Sequence, residues 1–285
     1  MNSRAPAGQV LSREPWAGAV ILDAHAHVGP YHRFFVADPS GEAMVRVMDR
    51  CGVAGCLVSS LLAVELDADS GNEETAALCA AHPDRFAGYL VINPWQDPAG
   101  QLARWRDHPS FVGIKLHPDL HEYPLDGPRY AAVWEYAERT ARPVLVHTWA
   151  GSPFDDLSHV DRVATDHPRA WILAGHSGVL PSSFDRAIDV ARRNPRVLLE
   201  LCGSHMHGRA IAEMVRAVGA GQVVYGSDFP FIDLRMSLGR VMFARLSEED
   251  RAAVLGGTML RLLSRPGPTG VPLLDRIGTS GTLAQ

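Results

Sequence analysis

The chain is short of three things, each of which would send the search for a function elsewhere. Cysteine comes to four residues (Cys51, Cys56, Cys79 and Cys202), and no two of them form a C-x-x-C pair. That excludes a zinc ribbon or a thioredoxin-like motif, so any metal chemistry must come from histidine and carboxylate. Basic runs never exceed two residues, and a formal charge of −5 is spread along the chain, so nucleic acid is not an expected partner. Nor is any stretch apolar for long enough to cross a bilayer, and residues 1–20 lack the continuous apolar segment of a signal peptide. The expectation is a cytoplasmic protein with reduced cysteines, no membrane contact and a small molecule as its partner.

What the chain does have is histidine, 13 residues of it, and an apolar fraction of 46% that suffices for a large core. The stretch 20–27 runs from Val20, Ile21 and Leu22 into Asp23, His25 and His27. On a strand alternate side chains share a face, so Asp23, His25 and His27 are expected on one side, where two imidazoles can reach one ion. A single His-x-His among 13 histidines is weak evidence. Its weight comes from repetition of the same arrangement, an apolar run ending in a polar residue.

Such runs recur at 53–59, 86–92, 111–117, 143–147, 171–176, 197–201 and 223–228, making eight with the first. Helical patterns lie between them, at 73–81, 130–140 and 184–193 for example, and Ser40 and Ser247 stand where helix N-caps are expected. The runs are apolar throughout instead of alternating, which suits parallel strands covered on both faces. Pro83, Pro109, Pro143, Pro168 and Pro195 each end a helix and force the chain into an extended exit, about one βα unit apart. Eight such units predict a single (β/α)8 barrel over residues 19–265. Residues 1–18 are expected as a flexible lead-in and 266–285 as a tail, either disordered or a packing arm. His82, His108 and His167 precede three of the prolines, so they belong at helix C-termini on the face away from the site, where a cation suits the dipole. His121 and His159 read as surface residues.

In a barrel of this kind chemistry is built at the carboxyl ends of the strands. Read in order, those ends carry His25 and His27, Ser59 and Ser60, Asn93, Lys115 and His117, His147, His176, Glu200 and Cys202, and Asp228. Five of the eight offer a His or Asp able to bind a divalent ion.

These motifs resemble the amidohydrolase superfamily, in particular its amidohydrolase-2 branch. The matching residues are Asp23-Ala-His-Ala-His27, Gly113-Ile-Lys-Leu-His-Pro118, Val144-Leu-Val-His147, Leu173-Ala-Gly-His-Ser-Gly178 and Val224-Tyr-Gly-Ser-Asp-Phe-Pro230. The resemblance covers roughly residues 20–265. It implies that His25, His27 and His147 are metal ligands, with Asp228 as a further ligand or proton shuttle. It also implies that His176 polarises the substrate or exchanges a proton. Three neutral imidazoles and a carboxylate suit one zinc ion first, with manganese or iron after it. In two-metal members of the superfamily the strand-4 lysine is carbamylated and bridges the ions. Here His117 follows Lys115 on the same face and the branch resembled usually holds one metal, so that bridge is not expected. Lys115 is expected instead to meet a substrate carboxylate, Asp23 or Glu200. His117, Arg33 and Cys202 complete the expected substrate contacts, with Phe34 and the loops after strands 1 and 7 as specificity candidates. Glu200 reads as the weaker candidate, a core ion-pair partner.

Hydrolysis of a small amide, ester or lactone by zinc-activated water is the first expectation, with Asp228 exchanging protons. Non-oxidative decarboxylation of a small aromatic or unsaturated acid is the second, because the same branch contains such enzymes. A non-catalytic binding protein on a barrel scaffold is the third. Relatives of this barrel often dimerise, and the sequence leaves the choice between monomer and homodimer open.

Overall fold

The computed structural model describes residues 16, 18–33, 35–265 and 271–280. Phe34, most of the lead-in and much of the tail lie outside these. Eight parallel strands pair in chain order: β1 (Ile21–Val28), β2 (Val53–Ser60), β3 (Phe86–Val91), β4 (Phe111–Leu116), β5 (Val144–His147), β6 (Ile172–Gly175), β7 (Val197–Glu200) and β8 (Val223–Val224). Helices connect them, as the (β/α)8 expectation requires. Val223 and Val224 pair with β7, after which the chain turns to close the ring on β1. Ala24 N–H reaches the Tyr225 carbonyl at 3.0 Å and His27 N–H that of Phe229 at 2.7 Å. β8 is therefore shorter than its apolar run.

The continuous apolar character of the strands has its cause in two separate cores. Ile21, Val58, Ile114, Val146 and Val197 pack outward under the helices, whereas Leu22, Leu57, Tyr89, Val112, Leu145, Leu173 and Leu198 fill the barrel interior. From the described part of the tail, Val271, Leu273 and Ile277 join the interior cluster. Arg276 ties the same helix, Pro272–Ser280, to the carbonyls of Asp84 and Ala54. The Ser247-capped helix makes one wide turn over Ala253–Gly257 as it passes the start of β1. A Cβ on Gly256 would stand 2.4 Å from the Val20 carbonyl oxygen, so this crossing needs glycine.

One strand departs from simple alternation in a way that matters for the site. The β1–β2 register slips between Asp23 and Ala26, a bulge that gives β1 an extra residue. Ala24 belongs to the interior cluster and His25 and His27 line the chamber above it, while Asp23 is turned away. Its carboxylate accepts from the Ser227 N–H at 3.0 Å and hydroxyl at 2.5 Å and from the His25 N–H at 3.0 Å. Asp23 thus locks the β1–β8 closure and does not share the histidines' face, contrary to expectation.

Candidate active site

Three imidazoles at the strand ends are each held at Nδ1 by a different partner. His25 Nδ1 lies 3.0 Å from Glu200 Oε2 at the end of β7. His27 Nδ1 lies 3.1 Å from Ser59 Oγ on β2. His147 Nδ1 lies 2.7 Å from Asp155 Oδ2, in the loop after β5. Such partners orient a ring and leave Nε2 for a ligand. The Nε2 atoms of His27 and His25 stand 3.4 and 3.8 Å from Asp228 Oδ1. His176 sits between the groups, its ring centroid 5.3 Å from His25 and 4.8 Å from His147.

Among the described residues, two sets of donor atoms each lie within 4.8 Å of one another: His25, His176, Cys202 and Asp228, and separately His117, His147 and Asp155. The expected ligands are thus brought to one chamber, although His27 and His147 stand outside the tighter set.

The electrostatics fit a divalent cation. Burial drives the pKa of His25 well below its ordinary value, His147 to about 3 and His176 to about 4, so all three are neutral at pH 7. Burial opposes charge on Asp228, but the His27 hydrogen bond and the neighbouring imidazoles hold its carboxyl below the usual range. Neutral imidazoles beside an ionised carboxylate are the protonation states a metal requires. His176 and Asp228 also adopt left-handed backbone, φ 64° and 61°. For residues other than glycine that costs on the order of 1–3 kcal/mol, strain of the kind concentrated at functional sites.

The chamber holds about 390 Å³, and besides the histidine cluster its lining mixes apolar Leu61, Val64, Leu120, Trp149, Val179, Phe231 and Ile232 with polar Asp119, Ser204 and His205. Lys115 enters from β4, fully buried, with Nζ 2.8 Å from His25 Nε2 and not on Asp23 or Glu200. His117 lines the chamber and stacks on His147 at 3.9 Å. Arg33 stands at the mouth, its Nε 3.9 Å from Glu65 and 3.3 Å from His32 Nε2, so its charge is partly answered. Cys202, expected against substrate, is not part of the wall; it is buried behind His25, with Sγ 3.1 Å from Nδ1. His121, expected at the surface, is 6% exposed and bonds the Val64 carbonyl at 2.9 Å and the Tyr130 hydroxyl at 3.2 Å.

Sequence reasoning undervalued Glu200 and missed Asp155. Glu200 had a visible signal, a carboxylate closing the apolar run Val197–Leu199. Asp155 had none, since it lies eight positions beyond His147 in a loop.

Several solved structures share the fold. The 5-carboxyvanillate decarboxylase of Sphingomonas paucimobilis is 18% identical, with a TM-score of 0.68 over 86% of this chain and 98% of its own. The 2,6-dihydroxybenzoate decarboxylase of Rhizobium is 17% identical, with a TM-score of 0.69 over 86% and 98%. An uncharacterised barrel protein of Bordetella bronchiseptica is 20% identical, with a TM-score of 0.70 over 85% and 98%. A decarboxylase of Novosphingobium aromaticivorans, 17% identical over 86% and 96% with a TM-score of 0.68, was crystallised with manganese. The similar structures are mostly decarboxylases, which overturns hydrolysis as the first expectation in favour of the second. No curated protein matches the chain. Among the described residues, no helix is long and apolar enough to cross a membrane. Residues 22–265 match the amidohydrolase family model, and the chain belongs to that family.

Proposed function

We propose that this protein is a metal-dependent, non-oxidative decarboxylase of a small aromatic or unsaturated carboxylic acid. The observation that carries this is the fully buried Lys115, the only lysine in the chain, set beside the histidine cluster in a chamber whose lining includes Leu61, Val64, Phe231 and Ile232. A carboxylate drawn into such a chamber by Lys115 loses its hydration, and leaving as neutral CO2 relieves that cost. His25, His27, His147 and Asp228 would hold one divalent ion. Their donor set suits zinc, and manganese accompanies two similar decarboxylases. When bound, the ion supplies a Lewis acid for the substrate's oxygens.

The remaining steps belong to the chain. Leu61, Val64, Phe231 and Ile232 exclude water around the substrate's planar body. Lys115 orients the carboxylate. As the carbon–carbon bond breaks, its electron pair stays on the substrate carbon and takes a solvent proton relayed through His176, whose neutral ring accepts a proton from water at one nitrogen as it gives one from the other. Arg33 and Glu65 at the mouth screen which acids enter.

Protein reconstituted with zinc or manganese, offered a panel of aromatic and unsaturated acids in ¹⁸O-water, tests this. CO2 release without solvent oxygen in the organic product supports the proposal. Solvent oxygen in the product with no CO2 overturns it.

A further inference from the structure

Glu200 does more than hold one ring. Its side chain is fully buried and both oxygens are occupied. Oε2 faces His25 Nδ1 at 3.0 Å, accepts from the His176 N–H at 2.9 Å and takes the Cys202 thiol at 2.9 Å. Oε1 accepts the Cys202 N–H at 2.8 Å. The Glu200 main-chain carbonyl accepts from Ser177 Oγ at 2.9 Å. One residue therefore grips β1 through His25 and the strained His176–Ser177 turn after β6 by two routes. Gly226, two residues beyond β8, makes room for it: a Cβ there would stand 2.0 Å from Glu200 Oε1.

We propose that Glu200 is the positioning residue of this centre, fixing His25 with its proton on Nδ1 and its Nε2 lone pair toward the chamber while holding His176 in register with it. The proposal rests on the metal-centre assignment above. An ionised Glu200 accepts hydrogen bonds and cannot donate them, which puts the proton on the ring nitrogen facing Oε2. The opposite nitrogen then accepts: Lys115 Nζ stands 2.8 Å from Nε2, and it must swing aside when Nε2 takes a cation. Glu200 also adds negative charge behind the ring, which strengthens Nε2 as a donor to a cation. The carboxylate shared with His176 makes the spacing between an ion-binding ring and the proton-exchanging ring a property of one side chain. That explains why a charged group is kept in the interior at the end of an apolar strand, where burial without partners would be costly.

Two measurements on the full chain test this. The first titrates chelator-stripped protein with zinc alone by calorimetry. Glu200→Gln keeps the shape but not the charge, and one of its amide faces must meet a donor with a donor. Zinc affinity is expected to fall about 10–100-fold with the circular dichroism spectrum unchanged; an unchanged affinity overturns the proposal. The second needs no variant. Long-range ¹H–¹⁵N NMR of wild-type histidines should find the proton of His25 on Nδ1, and a proton on Nε2 overturns the proposal. The outcomes separate from those of the decarboxylase assignment. Weakened zinc binding in a protein that releases no CO2 supports the role of Glu200 and sinks decarboxylation. CO2 release with undiminished zinc binding in Glu200→Gln does the reverse. Wild-type protein that binds no zinc sinks the role of Glu200 together with the metal centre.

Discussion

Replacing Lys115 with methionine sets stability against activity. The ammonium is fully buried, and its hydrogen bond among the described residues goes to His25, a neutral ring. Swapping buried charge for a well-packed apolar side chain commonly stabilises a protein by about 1–4 kcal/mol, and methionine follows the same unbranched path. Against this, His25 Nε2 loses its donor, at a cost of about 1 kcal/mol. The balance favours Lys115→Met, and each net kcal/mol is expected to raise Tm by roughly 2–4 °C. Burial lowers the Lys115 pKa below its ordinary value of 10.5. The unfolded chain therefore holds that proton more tightly than the folded one. The penalty is complete below the folded pKa and fades as pH rises toward the unfolded value. The Tm gain should thus be largest near neutral pH and shrink in alkali. Activity moves the opposite way: removing the cation that meets a desolvated carboxylate costs about 3–5 kcal/mol, roughly 10²–10⁴-fold in kcat/KM. Thermal melts in chelator from pH 7 to 10, beside CO2 release by the metal-loaded protein, measure both. A variant that melts below wild type at pH 7, or that keeps its kcat/KM, would refute the reasoning.

Two further predictions separate the histidines. His25→Ala or His147→Ala should lose metal and CO2 release together. His176→Ala should keep most of its metal by elemental analysis and lose on the order of 10²-fold or more in turnover. Acid should weaken the fold before it protonates the site. His147 and His176 have folded pKa values of about 3 and 4 against an ordinary 6.5, so the unfolded state gains protons first as pH falls below 6.5. Urea midpoints for the chelator-treated protein should decline steadily from pH 6.5 to 4, and a flat profile would contradict neutral buried rings.

The barrel was legible because parallel strands buried on both faces are written as apolar runs, and because Pro83, Pro109, Pro143, Pro168 and Pro195 punctuate them at one-unit intervals. The strand ends also named His25, His27, His147, His176 and Asp228 as candidates, and these side chains line one chamber. What stayed hidden depends on departures from regularity. The β1 bulge that turns Asp23 away comes from pairing with β2, which no local pattern announces. Asp155 reaches His147 through a loop whose path the sequence does not specify. His121 resembles any loop histidine until Val64 and Tyr130 close around it. Hydrolysis and decarboxylation draw on the same metal and the same histidines. What bears on the choice between them is the lining of the chamber, assembled from residues as distant as Leu61 and Ile232.

Anomalous diffraction from crystals of the metal-loaded protein, recorded at the ion's absorption edge, tests the metal centre most directly. The account predicts one peak, about 2.0–2.2 Å from Nε2 of His25, His27 and His147 and from an Asp228 oxygen. A peak among His117, His147 and Asp155, two peaks joined through Lys115, or no peak at all would contradict it.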